Sequence, residues 1–124
     1  MRRALQALIL AALCAAGACA QASVKTHCAS ARSQLEMNRC WAREADVANQ
    51  RLAATLKSTL DKTPVRAQTE QGQAKWVEYR DAHCAAVAAI YEGGSMQPMQ
   101  RDSCVVRLTE QRIEELKAVV PEGN

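Results

Sequence analysis

From residue 33 onward the apolar positions recur every three or four residues rather than every second one. Met37, Trp41, Ala45, Ala48, Leu52, Leu56 and Leu60 form a first stripe of about seven turns, the pattern of a helix with one buried face. Ahead of it, Ser33-Gln34-Leu35-Glu36 has the form of a capping box: the serine oxygen accepts a free N–H of the first turn while Glu36 reaches back. Asp61-Lys62-Thr63-Pro64 ends this helix, with Thr63 placed to cap a second one and Pro64 suited to its first position. The second helix carries Trp76, Arg80, Cys84, Val87, Ala88 and Tyr91 on one side, with Gly72 as a weak point. Glu92-Gly93-Gly94-Ser95 stops it, because a glycine takes the left-handed conformation at a helix end without steric cost. Pro98 permits a third start, with Val105, Leu108, Ile113 and Leu116 as its stripe. Glu110, Arg112, Glu114, Glu115 and Lys117 read as its solvated face, and Val119-Val120-Pro121 as its end. The pattern predicts an all-α antiparallel bundle of three main helices.

The first 20 residues follow a different logic. Arg2 and Arg3 precede an apolar run from Leu5 to Leu13, too short to span a bilayer, and Ala18-Cys19-Ala20 presents small residues where a signal peptidase inspects the chain. We expect an export signal over 1–20, cleavage after Ala20, and a single domain over 21–124 that is periplasmic or secreted. The alternative use of Ala16-Gly17-Ala18-Cys19 as a lipoprotein box would anchor the protein in the envelope through Cys19. Either way Cys28, Cys40, Cys84 and Cys104 remain, an even number in an oxidising compartment, which reads as two disulfides.

Removing the signal also removes two arginines, so the formal charge falls from +3 to +1 and gives no support for a nucleic-acid partner. The absence of Phe and the presence of only two Trp and two Tyr suit helices better than sheets. A domain this small buries a modest core, and cross-links are useful to it. Four cysteines allow three pairings, of which two make geometric sense. Cys40 and Cys84 each lie 22 residues from Lys62 and would meet in a helical hairpin; alternatively, Cys28 folds back to Cys40 while Cys84 and Cys104 clamp the second helix to the third.

Candidate chemistry is sparse. His27-Cys28 and His83-Cys84 fit no zinc spacing, and no nucleophile stands in a recognisable elbow beside His83, so neither a metal, a cofactor nor catalysis is expected. Arg80 is expected to lay its stem on the core and tie down a carboxylate such as Asp46. Trp41 and Trp76, which could form a sugar platform, read instead as core anchors.

These residues together resemble the bacterial LprI-type lysozyme inhibitor domains, a family long catalogued as of unknown function. The resemblance runs from Cys28 to Leu116: Cys28, Glu36 and Cys40 at the family spacing; Asp46 and Asn49; Gln73-x-x-Trp76-x-x-Tyr79-Arg80-Asp81-x-x-Cys84; Tyr91-x-Gly93-Gly94-Ser95; Cys104; and Leu108-Thr109-x-x-Arg112. Ala48 replaces the usual Leu, and Leu52 stands where Tyr is common; both keep the face apolar. Many relatives carry the first cysteine pair without the second, so the resemblance implies Cys28–Cys40 and Cys84–Cys104. It makes Glu36, Asp46, Asn49, Trp76, Arg80 and Asp81 a structural motif. It also implies a protein that binds and blocks a lysozyme. The competing expectation is an envelope interaction or immunity-like module without that activity. For an inhibitor, the loop Tyr91, Glu92, Gly93, Gly94 and Ser95 is the expected contact, since it alone combines an aromatic residue, polar groups and glycines in an exposed turn.

Overall fold

A computed structural model describes residues 28–123. The expected export signal, its cleavage site, Cys19 and His27 lie outside the described residues. Within them are three helices and no strand: α1 (Gln34–Lys62), α2 (Arg66–Ala89) and α3 (Gln97–Lys117). Helix α1 opens as its capping box requires. Ser33 Oγ accepts the Glu36 N–H at 3.2 Å, and the Glu36 carboxylate accepts from the Arg32 N–H at 2.7 Å, one residue further back than a capping box usually reaches.

Consecutive helices run antiparallel, but the largest interface is between α1 and α3, which run parallel, while α1 and α2 barely touch. The direction follows from paired ends. Asn38 Nδ2 donates to the Ser95 carbonyl at the start of α3, and Thr59 and Thr63 hydroxyls donate to the Leu116 and Val119 carbonyls at its end. Helix α3 is therefore the central element. Its buried residues, Cys104, Val105, Val106, Leu108, Thr109, Ile113 and Leu116, outnumber those of either neighbour. One cluster joins Ala45 and Ala48 of α1 to Cys84, Cys104, Val105, Val106 and Leu108; a second joins Leu52 to Ile113 and Leu116. The small side chains of Ala45 and Ala48 let α1 approach α3 closely, and Ala48 and Leu52, the two departures from the resembled pattern, are both buried.

Disulfides join Cys28 to Cys40 and Cys84 to Cys104. The second ties α2 to α3, and the first holds the chain preceding α1 against that helix. The hairpin-level pairing of Cys40 with Cys84 does not occur.

Three local expectations change. Thr63 is the C-cap of α1 rather than the N-cap of α2; its hydroxyl donates to Val119 and accepts from the Val65 N–H, and α2 begins only at Arg66. Tyr91 is not on the α2 stripe, because the helix ends at Ala89 and Tyr91 falls in the following turn. The tryptophans are not the deepest anchors. Trp41 and Trp76 pack half-buried against the clusters, and the largest fully buried side chains are Leu116, Thr109 and Cys84.

Candidate functional site

Two surfaces carry the residues singled out in the sequence. The first is the α2–α3 turn. Gly93 has φ +74°, a conformation that a side chain disfavours. A Cβ on Gly94 would stand 3.1 Å from the Tyr91 carbonyl, which accepts the Gly94 N–H at 2.9 Å. The turn is thus tight for steric reasons. It is also fixed at both feet: Cys84–Cys104 joins the helices on either side, and Asn38 of α1 holds the Ser95 carbonyl at 2.9 Å. All five residues from Tyr91 to Ser95 are exposed. Around them lies an apolar collar absent from the sequence reading: Ile90 is 78% exposed, Met96 38% and Tyr91 37%. Ile90, Tyr91 and Met96 thus leave apolar area uncovered beside the tight turn. Ile90 was legible as an apolar residue at a helix terminus, but only its exposure separates it from a core position.

The second surface is built from the motif residues. Arg80, only 12% exposed at its side chain, donates through Nη1 to Asn49 Oδ1 at 2.8 Å and to Thr109 Oγ1 at 3.2 Å, and pairs with Asp81 at 2.9 Å. The expected partner Asp46 is not used; Asn49, one turn further along α1, takes that place. The Arg80 guanidinium lies 5.1 Å from the Trp76 ring centroid. That of Arg112 lies 5.8 Å from the same ring while it donates to Gln73 Oε1 at 2.9 Å and pairs with Glu115 at 3.1 Å. Arg112, expected on the solvated face, is therefore part of the framework. A single network around Trp76 accounts for Asn49, Gln73, Arg80, Asp81, Thr109 and Arg112, and it is what locks the three helices in register.

Beside this network the weak α1–α2 contact leaves an open polar cleft of about 270 Å³, floored by α3, with Asp46, Asn49, Arg80, Asp81, Arg101 and Asp102 at its walls. Burial pushes the Asp102 carboxyl above its ordinary value of 3.8; Arg101 opposes the shift and the Asp46 charge adds to it. A separate, mostly apolar depression of about 410 Å³ lies beside Trp41 and Val87. Among the described residues no group of His, Cys, Asp or Glu is arranged to hold a metal ion, and His83 stacks on Tyr79 with ring centroids 5.6 Å apart.

Since Arg80 serves three acceptors at once, Arg80→Lys is expected to cost about 1–3 kcal/mol, because an ammonium cannot hold the same planar fan of contacts. A lower denaturant midpoint with an unchanged slope would show it; an unchanged midpoint would mean the network is ornamental to the fold.

Residues 25–116 match the family described as Lysozyme inhibitor LprI. An uncharacterised protein of Rhizobium meliloti (strain 1021) is 31% identical over 135 residues, spanning 97% of this chain and 96% of that protein. No solved structure matches the chain. With the family match running from just before Cys28 to Leu116, the chain belongs to the LprI lysozyme inhibitor family.

Proposed function

We propose that this protein is an exported binding protein that inhibits a lysozyme, with the turn from Tyr91 to Ser95 as its inhibitory contact. Family membership supports the inhibitory reading. The observation that favours this turn is its rigidity together with its exposed apolar collar. A loop whose conformation is already set loses little entropy on entering a cleft, and Ile90, Tyr91 and Met96 supply apolar area to bury around the polar tip. Glycoside-cleaving clefts carry a pair of carboxyl groups, so the Ser95 hydroxyl and bare loop N–H groups are suitable donors, while Glu92 attracts the basic rim of a cationic enzyme. Binding, not bond making, is the activity, and the two disulfides suit the oxidising compartment in which an exported chain works.

Turbidity clearing of bacterial cell walls by lysozyme, with and without the purified protein, tests the reading. Slower clearing supports it, and undiminished clearing at stoichiometric excess favours the envelope-module alternative. The double variant Glu92→Ala, Ser95→Ala touches no described hydrogen bond of either side chain. It is expected to weaken inhibition at least tenfold, about 1.4 kcal/mol, with an unchanged melting point. Unaltered inhibition would remove the turn from the contact.

A further inference from the structure

We propose that the polar cleft between α1 and α2 receives a basic side chain, an arginine or lysine, from the protein partner; this rests on the reading of the molecule as a binder of a cationic protein. The charges of the cleft are unevenly committed. Arg80 is held by Asp81, Asn49 and Thr109, so its charge is answered within the fold. Asp46 of α1 and Asp102 of α3 face the same opening, and neither makes a hydrogen bond or ion pair with another described residue. Arg101 stands at the rim, near enough to act on Asp102 electrostatically but not in a salt bridge with it. With Arg80 and Asp81 cancelling, one arginine and two carboxylates remain, and the cleft carries a deficit of one positive charge. A guanidinium or ammonium entering it would answer both carboxylates. A divalent metal is the poorer occupant, because two free carboxylates are too few ligands.

Position supports the same occupant. Asn38, Ala42, Asp46 and Asn49 follow one another at helical spacing along one face of α1; Asn38 holds the Ser95 carbonyl, and the other three line the cleft. The exposed turn and the cleft therefore belong to one continuous strip, about 12 Å apart along α1 at 1.5 Å per residue. A partner seated on the turn would reach the cleft with a long side chain.

The burial of Asp102 gives the cleft a sign that can be checked. A carboxyl whose folded value is raised contributes stability that is complete below 3.8 and lost as the pH rises through the raised value. At neutral pH the ionised group therefore strains the fold slightly, and Asp102→Asn should leave the melting point unchanged or higher. Acidification should weaken cation binding earlier than an ordinary aspartate would, with Asp46, Asp81, Arg80 and Arg101 as the other charges facing the group.

The test is titration of the disulfide-intact protein with N-acetyl-arginine methylamide, its lysine counterpart and its glutamate counterpart, followed by the NMR signals of the Asn49 side-chain amide and the backbone amides of residues 46 and 102. Saturable shifts with either basic probe and none with the acidic one are expected. Asp46→Asn, Asp102→Asn should weaken that binding at least tenfold, and Arg101→Ala, which removes the competing internal cation, should strengthen it. Preference for the glutamate probe, or weaker cation binding in Arg101→Ala, would make the cleft an anion site and overturn the proposal; so would the absence of saturable shifts with both basic probes. The probes contain no lysozyme, so a failure of lysozyme inhibition leaves this result standing. Conversely, inhibition that persists while the probes fail to bind sinks the cleft alone.

Discussion

Reducing both disulfides is expected to lower the melting point by about 20 °C or more, the largest effect available from a change that leaves every side chain in place. The bridges close loops with separations of 12 and 20 residues, each contributing roughly 3 kcal/mol by restricting the unfolded chain. For a domain of this size each kcal/mol is worth about 4–8 °C. The two bridges are not equivalent. Cys84 and Cys104 are both buried in the main core cluster and join two helices, so removing that pair also leaves poorly packed space. Cys28–Cys40 secures only the chain before α1. Calorimetry of the oxidised protein, the reduced protein and the variants Cys28→Ser, Cys40→Ser and Cys84→Ser, Cys104→Ser would rank them. A reduced protein melting within a few degrees of the oxidised one would show that the core alone carries the fold.

Trp76→Ala is expected to destabilise the domain by about 3–5 kcal/mol rather than to remove partner binding selectively. The indole packs against both core clusters and lies beside two guanidinium groups, so its loss opens space and strips Arg80 and Arg112 of the surface they cover. Loss of helical circular dichroism on mild heating, with Trp76→Phe intermediate, is the expected result. A variant that kept its melting point but lost its partner would make Trp76 a contact residue and return the sugar-platform reading to consideration.

Much of the fold is legible in the chain because a helix with one buried face writes its own period. The stripes from Met37 to Leu60 and from Val105 to Leu116, the Ser33–Glu36 cap and the left-handed turn at Gly93 all depend on residues within a turn or two of one another, although α2 already ends at Ala89. Thr63 shows where such reading ends. Its chemistry suits a helix cap, yet a carbonyl at the far end of the chain, that of Val119, competes for the hydroxyl. The predicted turn residues emerge exposed, whereas Ile90 and Met96 beside them look locally like any other apolar residues, and only solvent exposure marks them out.

What the sequence determined by itself is therefore the set of helices, their buried stripes and the even count of cysteines, since each follows from covalent neighbours and backbone periodicity. The tertiary structure alone decided that α3 lies between helices that scarcely touch, that Arg80 chooses Asn49 and Thr109 over Asp46, and that Asp46 and Asp102 line one cleft with Arg80 and Arg101. These are choices among partners far apart in the chain, with similar local chemistry. They are settled by which helix faces pack most closely, a quantity that no stretch of sequence contains.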